Sequence, residues 1–122
     1  MSAGNWHALA IDKSGKIYAT GHNKQGACGM GHFNNVEVFT ETKNEIVGKS
    51  VSCGDCFSLV ISDEDELYSC GHSELHGHKK KEHLSILTKL KIDEEKVSCV
   101  AAGFTHALAV TSKGQVYSWG DG

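Results

Sequence analysis

No stretch of this 122-residue chain approaches the roughly twenty consecutive apolar residues of a membrane-spanning helix. Its opening, Met1-Ser2-Ala3-Gly4-Asn5-Trp6, lacks the basic region and apolar core of a secretory signal. No membrane association is expected, and the expected location is intracellular, cytoplasmic or nuclear. Excess positive charge is missing too: 12 basic side chains stand against 15 acidic ones, a formal net charge of −3. A general nucleic-acid binder needs an electropositive face to displace counterions, so that class is set aside. Cysteines are few and odd in number, five, which suits a reducing compartment better than a disulfide framework. The glycine-rich stretch from Gly21 to Gly31 has neither the Gly-Lys-Ser/Thr of a phosphate loop nor a helical pattern after it.

What the chain does contain is one sentence repeated three times. The fullest copy is Ala101-Ala102-Gly103-Phe104-Thr105-His106-Ala107-Leu108-Ala109-Val110, then Ser112-Lys113-Gly114-Gln115-Val116-Tyr117-Ser118-Trp119-Gly120. The others begin near residues 3 and 53. Leading glycines Gly4, Gly54 and Gly103 lie 50 and 49 residues apart, and closing glycines Gly21, Gly71 and Gly120 keep the same spacing. Two landmarks sharing one spacing mark an internal repeat.

Each copy reads as a β-hairpin: a short apolar run, a tight turn, then an alternating segment. Gly15 and Gly114 occupy the turn position where positive φ is expected. Asp65 stands there in the second copy, a residue type that tolerates this conformation. A strand with small residues precedes the second and third leading glycines, ending in Ser50-Val51-Ser52-Cys53 and Val100-Ala101-Ala102. An alternating outer strand, Asn35 to Thr40, follows the first hairpin. Leu84 to Ile92 holds the next, with Leu84 to Leu87 open to a helical turn. Ala8, Ala10, Ile17 and Ala19 are expected to be packed.

The pattern small-Gly-x-x-His-apolar run, turn glycine, then apolar-Tyr-x-x-Gly resembles the repeats of the regulator of chromosome condensation family. Asn23-Lys24-Gln25-Gly26-Ala27-Cys28-Gly29-Met30-Gly31 is similar to the Asn-x-x-Gly-Gln-Leu-Gly-x-Gly loop of that family, with Ala27 and Cys28 in place of Gln and Leu. The chain also has no proline, which the family often places before its outer strand. The resemblance implies an all-β fold of β-propeller blades, each a four-stranded antiparallel sheet, with about two to two and a half blades in one region over residues 1–122. An incomplete ring leaves strands unpaired at both ends, so the chain is expected to be a fragment of a larger propeller. The remaining blades would come from the same parent chain or from other copies.

For function, the resemblance implies a platform on which proteins dock. The expectation is a non-enzymatic interaction platform with no catalytic residue, cofactor or metal; the alternative is part of a guanine nucleotide exchange factor for a Ran-like small GTPase. In the family some histidines of the repeat slot look outward onto the GTPase-binding face. That points here to His7 and His106, with Trp6 and Phe104 as aromatic neighbours. A structural role for the slot, with the ring nitrogen satisfying backbone groups at the Gly-x-x turn, is the competing reading. Lys79-Lys80-Lys81 is either a solvated loop tip or a partner-facing loop. Tyr18, Tyr68 and Tyr117 recur at one position and read as core.

Cys53-Gly54-Asp55-Cys56 has redox or zinc spacing, with Cys70, Cys99 and histidines as further candidate ligands. The other copies fill the same two positions without a thiol, which favours packing. His72, His76, His78 and His83 gather around one loop, either as solvated side chains, as a metal clamp or as a surface sensitive to acidity.

Overall fold

The computed structural model describes residues 2–3, 6–42, 44, 46–72, 82–90 and 96–120. They form three antiparallel sheets. The first contains β1 (Ser2–Ala3), β2 (His7–Ile11), β3 (Ile17–Gly21) and β4 (Val36–Glu41). The second contains β5 (Gly48–Cys53), β6 (Phe57–Ser62), β7 (Leu67–Gly71) and β8 (Leu84–Leu90), and the third β9 (Val97–Ala102), β10 (His106–Thr111) and β11 (Val116–Gly120). Within each sheet the strands lie in sequence order. These are blades of a β-propeller, two with four strands and one with three. Leu84 to Leu87, where the sequence left room for a helical turn, belong to β8, because Leu87 is needed in the core beside Met30.

One register recurs. His7 pairs with Gly21, Phe57 with Gly71, and His106 with Gly120. The closing glycines have φ of 113°, 119° and 125°, and a Cβ on them would run into the carbonyl oxygens of Trp6, Cys56 and Thr105. Only glycine meets both demands. In the turn position, Asp65 takes φ 62°, beside 90° at Gly15 and 82° at Gly114. Each turn is closed by an oxygen at one slot. Asp12 Oδ1 accepts from the Ser14 and Lys16 amides, Ser62 Oγ from the Glu64 and Glu66 amides, and Thr111 Oγ1 from the Gln115 amide.

Strand alternation then decides how the blades stack. Leu9, Ile17 and Ala19 of the first blade pack on Val60 and Cys70 of the second. Phe57, Leu59, Ile61 and Leu67 of the second pack on Ala107, Ala109, Tyr117 and Trp119 of the third. All six residues of β6 are therefore buried, whereas β10 alternates exposed and buried. Ala8 and Ala10, expected in the core, are half-buried: they lie on the face of β2 turned away from the second blade, and Leu9 fills the core instead. Tyr68 and Tyr117 are partly buried against the two cores. The first strand of the second blade, β5, adjoins both β1 and β9, and Ser52 Oγ accepts from the Ala102 amide at 3.0 Å.

Candidate functional site

Antiparallel order sends the turn before the second strand and the connection after the third to the same end of each blade. This end forms a rim. It carries Trp6, which is 58% exposed, and Phe104, 62% exposed, at turns two repeats apart. Trp6 lies near His22, ring centroids 6.4 Å apart. In the second blade His72 and His83 sit 4.8 Å apart, and partial burial, then the His72 neighbour, lower the pKa of His83. Lys79, Lys80, Lys81, His76, His78 and Gly4 lie outside the described residues.

The histidine slot divides. His106 is exposed, its ring set over Gly103. His7 is only 4% exposed and turns inward, between the first two blades. Its Nε2 lies 2.7 Å from Ser58 Oγ. The Ser58 hydroxyl donates to the Ala27 carbonyl at 2.7 Å, so its oxygen is left to accept a proton from His7 Nε2. Nδ1 then carries the lone pair. It lies beside the backbone of Asp55 and Phe57 without a hydrogen bond of good geometry. Desolvation lowers the His7 pKa to about 4, and the ring is neutral at pH 7. The expectation that His7 faces a partner meets a buried side chain.

Phe57 occupies the same slot in the second blade and is wholly buried against the third. Leading glycines make room for this ring: a Cβ at Gly54 would collide with Phe57, and one at Gly103 would lie 3.0 Å from the His106 ring. Ser58 and Asp55, which complete the surroundings of His7, carried no signal in the sequence. Histidine, serine and aspartate do come together here, but Ser58 is wholly buried and bonded to Ala27, so it presents no nucleophile.

Asn23 is a further organiser. Wholly buried, it donates to the carbonyls of His32 and Asn34 and accepts from the Cys28 amide, fixing the loop that follows β3. Cys28, Cys53 and Cys70 join one core, and burial pushes the Cys28 thiol up to about 12 and that of Cys70 higher still. Such thiols are poor nucleophiles and poor ligands. The Cys53 and Cys56 pair recruits no third ligand: among the described residues, no three His, Cys, Asp or Glu side chains come together as a metal site. In the acidic run at 63–66, Asp65 pairs with Lys49 and Glu66 with Lys89.

The propeller geometry agrees with the protein-family comparison. The model described as "Regulator of chromosome condensation (RCC1) repeat" matches residues 1–32, 49–77 and 97–122. The chain belongs to this family. The mouse protein named secretion-regulating guanine nucleotide exchange factor is 33% identical across the whole chain, which spans 27% of its length. The guanine nucleotide exchange factor SRM1 of Saccharomyces cerevisiae is 30% identical, with the chain spanning 30% of it. The crystal structure of Prp20p from the same yeast, whose title names binding to Gsp1p and histones, superposes with a TM-score of 0.82 at 30% identity over 97% of this chain and 32% of that one. The chain thus spans under a third of these relatives. They correct the non-enzymatic expectation: exchange factors catalyse nucleotide exchange, so a repeat platform of this kind is compatible with catalysis. No helix among the described residues is long and apolar enough to cross a membrane.

Proposed function

We propose that this chain is part of a guanine nucleotide exchange factor that docks a small GTPase on the rim bearing Trp6 and Phe104. The observation that carries this reading is the pair of large aromatic side chains held out at equivalent rim turns of two blades. Exposed aromatics on a rigid support are the usual anchors of protein recognition. Lys79, Lys80 and Lys81 are included in the contact on sequence grounds alone. Exchange needs no covalent chemistry from the factor: binding the nucleotide-free GTPase more tightly than the loaded one shifts the equilibrium toward release. The buried slot residues His7 and Phe57 fix the blades and so the spacing of the anchors. Further blades cover the open face of the third sheet, where Leu108 and Val116 are exposed. A cytoplasmic or nuclear location suits this role.

The test is release of fluorescent GDP from a panel of purified small GTPases on adding the intact protein. Acceleration with one of them, reduced about tenfold or more by Trp6→Ala with Phe104→Ala while the unfolding midpoint is kept, supports the reading. No acceleration with any GTPase, or rates indifferent to the double substitution, overturns it.

A further inference from the structure

The second blade has a described blade on each side, so what its rim presents does not depend on any further part of the ring. Its strands β7 and β8 run antiparallel, and their ladder ends with Gly71 opposite Leu84. The next residue outward on each strand is a histidine. His72 leaves β7, its amide donating to the Cys56 carbonyl at 2.9 Å, and His83 enters β8. Register therefore sets the two imidazoles across from one another at the end of the ladder, where cross-strand Cβ atoms lie about 5 Å apart. The ring centroids are 4.8 Å apart, with the planes tilted by 49°. His72 is half-buried and His83 exposed, so the pair is open to solvent.

The first blade supplies the comparison. Its ladder ends in the same way, with Gly21 opposite Val36, and the residues just beyond are His22 and Asn35. Asn35 Oδ1 accepts from the Asn23 amide at 3.0 Å, and the His22 ring lies near Trp6. One imidazole stands there where the second blade has two. Neutral imidazole is the commonest protein ligand of transition metals, whereas calcium and magnesium demand oxygen. We propose that His72 and His83 are the protein ligands of a site for a divalent transition-metal ion of the zinc and copper kind. Two rings set by one strand register fill two positions on the ion. Water takes the rest, because among the described residues no third His, Cys, Asp or Glu joins them. The ion clips β7 to β8 where their ladder ends, and binding to the folded chain alone stabilises it by mass action.

The test is titration of zinc chloride into the intact protein, prepared without a histidine tag, by calorimetry and with the histidine ring signals followed by nuclear magnetic resonance. One ion per chain is expected, shifting the His72 and His83 signals and leaving that of His22 in place. Copper(II) chloride should bind more tightly than zinc chloride, and magnesium chloride should not compete. His72→Gln and His83→Gln should each weaken zinc binding about a hundredfold, because a single ring loses the second, intramolecular contact. Both substitutions lie at a solvent-open pair and should keep the metal-free unfolding midpoint. His22→Gln, at the matching position of the first blade, should bind zinc as the unaltered protein does. Absence of zinc binding, binding that survives loss of either ring, signals that shift at His76 or His78 and not at His72 and His83, or an equal loss in His22→Gln would each overturn the proposal.

Discussion

The two seams between successive blades share a geometry and differ in chemistry. In the first, the slot residue is His7, tied to Ser58 and through it to Ala27, with Cys28, Cys53 and Cys70 in the same core. In the second, the slot residue is Phe57, packed with Leu59, Ile61 and Leu67 against Ala107 and Ala109. A leading glycine, a strand register and a closing glycine build the slot, and what fills it is free to vary. A hydrogen-bonded imidazole confers direction and a sensitivity to acid, whereas a phenyl ring confers buried area.

The largest effect should come from the second seam. Phe57→Ala empties a fully buried slot, and a loss of about 3–5 kcal/mol is expected in urea unfolding of the intact protein. A cost under 1 kcal/mol would mean that the seam closes over the gap.

The first seam should respond instead to pH. His7 has a folded pKa of about 4 against an ordinary value of 6.5, so the unfolded chain binds the proton more readily. Stability is fully present above the ordinary value, falls as pH drops through the interval toward 4, and loses up to about 3 kcal/mol there. His7→Phe, which copies the second seam, should remove this part of the pH dependence. A profile unchanged by that substitution would take His7 out of the account.

The frame common to both seams can be tested by glycine replacement. Gly114→Ala, at φ 82° with no neighbour within 4 Å, should cost about 1 kcal/mol from conformation alone. Gly71→Ala adds a collision with the Cys56 carbonyl and should cost clearly more. Equal costs would show that the closing glycine serves its φ and not the close approach. The smallest effect is expected from Lys49→Ala: its pair with Asp65 is solvent-exposed, and the unfolding midpoint should stay within error.

Much of the fold was legible in the chain. Spacing of Gly21, Gly71 and Gly120 exposed the repeat, and Asp65 could be placed at a positive φ because aspartate stood where two other copies had glycine. The failures were of facing. Ala8, Leu9 and Ala10 are all apolar, so nothing in the run itself told which side of β2 meets the next blade. The candidate site was legible only as a set of positions: Trp6 and Phe104 proved exposed, while His7, at the same slot as His106, proved buried.

The amino-acid order alone determined that three similar units would form, where each would turn, and which positions would demand glycine, because those are local constraints of backbone geometry. Tertiary structure decided which face of each sheet is covered. It also made His7 a plug, because the chain supplies a neighbouring blade to cover it. That blade meets the ring with Ser58 and Phe57.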